Sequence, residues 1–285
     1  IITRGFVYVK ESEELMDDLR EVALEAIDRC CRKHVRDWAT IKSAIKNDLS
    51  LQIYNNSTAY ATMPTQGCPG LTKKFVDSYL MKDGSRFTDK EGWATMQFIE
   101  QMTDRDPRLA ASTVTPGYIR LGATTVSAPD LGSSSTGYQL VKWVMDETLP
   151  QVNRVDMSYN DIPVYRIAEM YLIYAEAKTR IDGGSTSDAK AVKCITDLQK
   201  RAGLNPAITS ITLDNVFTEI TRELYWEGHR RTTLIRFGKY VEGNYVWPFK
   251  GGAESGQALP DYMKLFPIPD EDLVANENLT QNKGY

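Results

Sequence analysis

The stretch Asp161-Ile162-Pro163-Val164-Tyr165-Arg166-Ile167-Ala168-Glu169-Met170-Tyr171-Leu172-Ile173-Tyr174-Ala175-Glu176-Ala177-Lys178 carries the clearest helical signal in the chain. Asp161 can cap the N-terminus, and Pro163 suits a first turn, where its missing N–H has no partner to lose. Ile167, Tyr171, Tyr174, Ala175 and Lys178 follow at helical spacing until Gly183-Gly184 stops the helix. Ser187 can cap a second helix, whose apolar stripe of Ala191, Val192, Ile195, Leu198 and Ala202 runs to Gly203 and Pro206. A short Gly/Ser turn between two such helices predicts an antiparallel hairpin, with Ala175 and Ala177 permitting close approach.

At roughly 40 residues the hairpin suits a tetratricopeptide-like unit, although no second copy recurs at a fixed period. A single unit cannot bury its own apolar face, so it is predicted to stack on other helices, with residues 11–49 as candidates. There Leu15, Leu19, Val22, Ala26, Val35, Trp38, Ile41 and Ile45 keep a three-and-four spacing. A third helix is predicted from near Asp214, with Val216, Phe217, Ile220, Leu224 and Leu234-Ile235 on its apolar side and Gly228 interrupting it. On it Glu219, Glu223 and Glu227, interleaved with Arg222, Arg230 and Arg231, are placed to form a ladder of ion pairs.

Between the helical parts, residues 51–160 are punctuated by Pro and Gly and read as loop-rich, with a few short helices and strands. Pro260 to Tyr285 reads as extended chain tied to the surface. The organisation expected is therefore three-part: a helical segment over 1–50, a loop-rich segment over 51–160 bearing the ligand side, and a helical region with its tail over 161–285. The last two are expected to form one structural unit.

With 42% apolar and 25% charged residues, the 285-residue chain can bury a substantial core, and a net charge of −4 predicts no broad basic surface for nucleic acid or anionic lipid. Partners are expected to be neutral or weakly charged. The longest apolar run, Met170 to Ala175, falls far short of the roughly 20 residues of a membrane-spanning helix. Fifteen tyrosines and five tryptophans suit stacking on sugars or seating peptide side chains, and suit core packing equally.

Chemistry is harder to place. No glycine-rich loop has phosphate- or dinucleotide-binding spacing. Gly252-Ala253-Glu254-Ser255-Gly256 lacks the first glycine of a nucleophile elbow. Cys30, Cys31 and His34 form at most a partial metal clip, short of the three ligands a zinc site needs, and Cys30, Cys31, Cys68 and Cys194 show no CxxC spacing. Glu223 with Glu227, or Asp104 with Asp106, are carboxylate pairs of the kind used in glycoside hydrolysis, but arginines flank the glutamates as in a structural ion-pair network. No catalytic residue, metal or cofactor is assigned.

Several segments, in order, resemble the SusD/RagB family of surface nutrient-binding lipoproteins. Cys68-Pro69, Phe75-Val76-Asp77-Ser78-Tyr79 and Asp83-Gly84 resemble its PT..LVDAY...DG segment, and Arg105-Asp106-Pro107-Arg108-Leu109 is similar to RDPRL. Thr136-Gly137-Tyr138 with Lys142 follows. Pro163, Arg166, Ala168-Glu169, Tyr171-Leu172 and Ala175-Glu176-Ala177 match P..R.AE.YL..AEA; Arg222-Glu223-Leu224, Glu227-Gly228-His229-Arg230, Leu234, Arg236 and Gly238 resemble R.EL..EGHRW.DL.R.G. Pro267-Ile268-Pro269, Glu271, Asn276, Asn278-Leu279, Gln281-Asn282 and Gly284-Tyr285 resemble the tail pattern PIP..E...NP.L.QNPGY. Arg231 and Thr233 stand where the family usually has Trp and Asp, and Gly70-Leu71 displaces the expected threonine.

The resemblance implies a mainly α-helical, SusD-like fold, with tetratricopeptide-like helix pairs supporting a loop-rich ligand-binding side and minor β structure. It implies non-catalytic capture of an oligosaccharide at the outer-membrane surface and delivery to a SusC-like TonB-dependent transporter. A peptide-binding role and a tetratricopeptide-like interaction scaffold are the alternatives. Family members carry an N-terminal lipid anchor and a longer helical N-terminal portion, so this chain is expected to be the carboxy-terminal part of a larger precursor. By analogy the ligand loops precede the PT..LVDAY segment, which nominates Tyr54, Asn55, Asn56, Tyr60 and Gln66, with Trp93 in the insertion after Asp83-Gly84. None of these residues matches a family binding motif one for one.

Overall fold

The computed structural model describes residues 70–119, 124, 126, 134, 136–142, 165–243 and 245–285. The chain divides into two units, Ile1–Lys46 and Asn47–Tyr285, and only the second contains described residues. The predicted helix over 11–49 and the capping roles of Asp161 and Pro163 lie outside them.

The hairpin forms. Helix α4, Ile167–Ile181, begins after Arg166, which is extended (φ −134°, ψ 152°), so helical backbone starts later than the Pro163 reading placed it. Glu169 in the first turn and Lys178 and Arg180 in the last complement the helix dipole. The buried stripe is Ala168, Leu172, Ala175 and Thr179, one step round from the predicted one. Tyr171 and Tyr174 are half-buried and pack at the edge of the core, and Ala177 faces out. At the C-terminus Gly184, at φ +105°, returns its N–H to the Thr179 carbonyl at 2.8 Å, closing the helix end in a conformation costly for any residue with a Cβ.

Helix α5, Ala189–Arg201, is capped by Asp188, whose Oδ1 accepts from the Ala191 N–H at 2.8 Å, rather than by Ser187. The carboxylate one residue later has the reach that the cap position needs. Helix α6, Leu213–Glu223, has a capping box in which Thr212 and Asn215 exchange side-chain bonds with each other's backbone N–H. A two-residue antiparallel ladder, β1 (Ser185–Thr186) with β2 (Ile211–Thr212), ties the hairpin turn to the start of α6. Ala168, Leu172 and Ala175 of α4 meet Ala191, Ile195 and Leu198 of α5 and Val216 and Ile220 of α6 in one core. Among the described residues the hairpin stacks on α6; the stacking expected of residues 11–49 falls outside them.

Helix α6 ends at Glu223, and Leu234 belongs to a separate helix, α7, Arg230–Arg236. The front part of the unit holds three short helices, α1 (Lys73–Asp77), α2 (Phe98–Met102) and α3 (Pro107–Ser112), with isolated bridges rather than strands among the described residues. Thr72, the displaced threonine, caps α1 by accepting from the Phe75 N–H. A second core of Leu71, Val76, Tyr79, Met102, Leu109, Leu140 and Tyr225 supports this part. The tail is extended except for a short turn at Asp261–Lys264 and helix α8, Asp270–Ala275, which the sequence reading missed.

The tail is tied down by side chains. Gln281 pairs both ways with the Ile268 backbone at 2.8 and 2.9 Å, and Asn282 donates to the Phe266 carbonyl at 2.7 Å. Arg231, standing in place of the family tryptophan, donates to the Met263 and Lys264 carbonyls and stacks over the Phe266 ring at 3.9 Å. Among the described residues no helix is long and apolar enough to cross a membrane.

Candidate functional site

Two polar features stand out: a buried charge network and an open cleft. In the network, Arg108 at the start of α3 reaches Asp106 at 2.8 Å, Glu219 at 2.6 Å and Glu223 at 3.2 Å. Arg166 bridges Glu223 at 2.8 Å and Glu227 at 2.6 Å, and Arg201 binds Glu223 at 2.5 Å. Lys142 reaches Glu227 at 2.6 Å. Arg222 pairs with Glu219 at 2.7 Å, and Gln199 donates to the same carboxylate at 2.9 Å. Only the Arg222–Glu219 pair belongs to the predicted ladder. Glu223 and Glu227 take their partners from other segments, and Arg230 and Arg231 point elsewhere.

Each motif of the family resemblance between residues 105 and 227 supplies a member of this network, which explains residues of that charge at those places. Burial alone would raise the Glu219 carboxyl, but the charges and hydrogen bonds of Arg222 and Arg108 more than offset it and hold it down to about 2. A carboxyl so held cannot donate a proton near neutrality. Asp104 is exposed at φ 53°, whereas Asp106 is buried on Arg108, so that pair does not face across a common space.

The cleft, about 800 Å³, opens between α1 and α6. Lys73, Lys74 and Asp77 come from α1, Trp93 from the turn Trp93–Thr95, Asn205 and Ile208 from the loop after α5, Asp214, Asn215 and Thr218 from α6, and Lys239 and Tyr245 from the segment after α7. The Trp93 ring stands edge-on to Phe87, with the Lys73 ammonium 4.9 Å from its centre. Lys74 lies 4.0 Å from the centre of the Tyr245 ring. Aromatic faces, amides and hydroxyls in one concavity can stack on and hydrogen-bond a polar ring. Neither carboxylate pair nominated for hydrolysis lines this cleft.

Of the six residues nominated from the sequence, Trp93 is on the cleft wall; Tyr54, Asn55, Asn56, Tyr60 and Gln66 lie outside the described residues, as do Cys30, Cys31 and His34. Sequence reasoning missed Lys74, Lys239, Tyr245 and Asn205, which no local pattern links. It also missed that a chain of net charge −4 gathers cations here. Among the described residues, no group of three or more His, Cys, Asp or Glu is placed to hold a metal ion.

Fold and cleft together define a mainly α-helical protein with a polar, aromatic-edged concavity. The model of the SusD family matches residues 42–285, and the chain belongs to the SusD/RagB family. A second model, the Ribonuclease J C-terminal domain, matches residues 1–59, a minor part of the chain. Among curated relatives, the starch-binding protein SusD of Bacteroides thetaiotaomicron is 35% identical over 166 residues, covering 58% of this chain and 29% of that protein. The SusD-like protein P25 of Formosa agariphila is 29% identical over 160 residues, or 52% of this chain and 29% of that one. Two solved Bacteroides fragilis structures are similar. A SusD-like protein superposes with a TM-score of 0.61 at 24% identity, covering 82% of this chain and 50% of its own. A SusD-like carbohydrate-binding protein gives 0.55 at 25%, covering 73% and 48%. The chain thus spans about half the length of those solved relatives and less of the curated ones.

Proposed function

We propose that this protein captures an oligosaccharide at the outer-membrane surface without transforming it and passes it to a SusC-like TonB-dependent transporter. The observation that carries this reading is the 35% identity over 166 residues to a protein named as starch-binding. Two features support it: a cleft edged by Trp93 and Tyr245, and a buried network that occupies the glutamates otherwise available for hydrolysis. Aromatic faces stack on sugar rings, and amides and hydroxyls bond their hydroxyl groups. Tyr54, Asn55, Asn56, Tyr60, Gln66 and Trp93 are proposed to contact the ligand, residues 51–285 to act as one unit, and an N-terminal lipid to provide the anchor.

Titration calorimetry against matched panels of oligosaccharides and peptides tests the reading. Glycan binding with no release of reducing ends is expected; binding of peptides alone overturns it in favour of a peptide carrier. Reducing-end release that Glu223→Gln or Glu227→Gln abolishes would make the protein a hydrolase. Co-purification of a β-barrel transporter checks the partner.

A further inference from the structure

The charge in the cleft is unevenly matched. Lys74 donates to the Val246 carbonyl at 2.9 Å and faces the Tyr245 ring, and among the described residues no carboxylate pairs with it. Among the described residues Lys239 has one carboxylate in reach, Asp214 at 3.9 Å, which is half exposed and shared with Arg86 at 3.7 Å. Behind them, among the described residues, Arg230 bonds Thr221 Oγ1 and the Tyr245 hydroxyl, and Lys250 bonds the Tyr245 carbonyl at 2.6 Å. The arginines and the lysine of the buried network, in contrast, each have a carboxylate at 3.2 Å or closer. Among the described residues, four cations gathered around one tyrosine with a single shared carboxylate leave a local excess of positive charge beside an open space.

We propose that this cleft seats an anionic substituent, a carboxylate or sulfate carried on a sugar ring, at the Lys74 and Lys239 ammonium groups. The inference rests on the glycan reading and names the class of glycan. An ammonium near a wall of low polarisability gains more from an incoming anion than one in open water. The Lys74 ammonium is held below its ordinary range first by burial and then by the Lys239 and Arg230 charges, and an anion offsets those two like charges. Trp93 lines the same cleft and offers a ring for the sugar face, while Asn205 and Asn215 offer amides. The volume of about 800 Å³ holds several atoms beyond a single anion, within the roughly 300–1,000 Å³ common for small-molecule sites. The overall charge of −4 is no obstacle, because screening confines recognition to charges within roughly 10 Å.

The test titrates the full chain with a neutral galactan oligomer, an oligogalacturonate and a sulfated galactan oligomer of equal length, and with inorganic sulfate. At least one acidic oligomer is expected to bind about tenfold more tightly than the neutral one, with a preference that shrinks as salt rises. The uronate and sulfate arms identify the group. The double variant Lys74→Gln/Lys239→Gln is expected to lose the preference, binding acidic and neutral oligomers alike; Lys74→Arg/Lys239→Arg, which preserves both charges, is expected to retain it. Equal affinities for neutral and acidic oligomers, or a preference that survives the glutamine variant, overturn the anion site and leave the glycan reading intact. Sulfate binding lost in the glutamine variant, with no oligomer bound, supports the anion site and overturns the sugar carrier. Silence toward all four probes overturns both.

Discussion

Arg108 and Glu219 meet at 2.6 Å across 111 residues of chain, joining the first turn of α3 to the middle of α6. Glu219 is fully buried, and its other oxygen takes hydrogen bonds from Arg222 and Gln199. This junction binds the loop-rich front of the unit to its helical layer.

Glu219→Gln leaves two buried guanidinium groups without their shared charge. The loss is expected to be about 3–5 kcal/mol, because the buried Arg222 guanidinium loses the carboxylate it pairs with, while Arg108 keeps Asp106 and Glu223. Urea denaturation should show a lower midpoint with an unchanged slope; a variant as stable as the parent would remove this junction from the stability of the unit.

Acid should weaken the protein by the same route. The Glu219 carboxyl is held near 2 when folded, against roughly 4.3 in an unfolded chain. Its contribution is therefore fully present above that unfolded value and is lost as pH falls through it toward 2, a change on the order of 3 kcal/mol. Thermal melts between pH 6 and pH 2 should show the decline in the parent and a shallower one in Glu219→Gln.

Arg105→Lys is not conservative. The Arg105 guanidinium donates to the Gln101, Val76 and Tyr79 carbonyls at 2.6, 2.8 and 3.0 Å and lies over Phe87, 3.8 Å from the ring centre. Burial lowers its pKa to about 10, with Asp77 and Asp106 opposing the shift. A lysine ammonium is a point donor and cannot span those carbonyls, so a cost of about 2–4 kcal/mol is expected in chemical denaturation.

Two glycines with similar backbones should respond differently to alanine. Both are left-handed, Gly92 at φ +70° and Gly256 at φ +73°, but a Cβ on Gly92 meets nothing within 4 Å, whereas one on Gly256 would sit 2.1 Å from the Trp247 carbonyl oxygen. Gly92→Ala should cost about 1 kcal/mol from backbone conformation alone. Gly256→Ala should cost clearly more, because the 246–257 loop has to move. Paired thermal melts compare them directly.

Trp93→Ala should weaken glycan binding about tenfold, the loss of one stacked ring at about 1–1.5 kcal/mol. Its partial exposure should leave the melting transition close to the parent's. Calorimetry with the best-bound oligosaccharide provides the measurement, and unchanged affinity would move the ligand away from this wall.

Much of the fold was legible locally. The 3.6-residue period, the Gly183-Gly184 stop and the run of motifs from Cys68 to Tyr285 led to the hairpin and to the family. What failed locally is instructive. The α4 core stripe lies one residue round from the spacing of Tyr171 and Tyr174, because these tyrosines sit at the margin of the core. Helix α8 escaped because a six-residue helix begun by three acidic residues shows little apolar period. The site was less legible still. Trp93 could be named from its place in an insertion, but nothing near Lys74 or Lys239 in the sequence announces that they line one cleft.

The sequence by itself determined helix, turn and kinship, because caps, periodicity and glycine stops act between residues a few positions apart. Tertiary structure alone decided which charges meet. It turned a ladder expected along one helix into a junction of Arg108, Arg166 and Arg201 on the α6 glutamates, and it placed α6 against the hairpin. Ion pairing depends on where distant segments converge and on how much water they exclude there, and neither quantity is written in the spacing of a single segment.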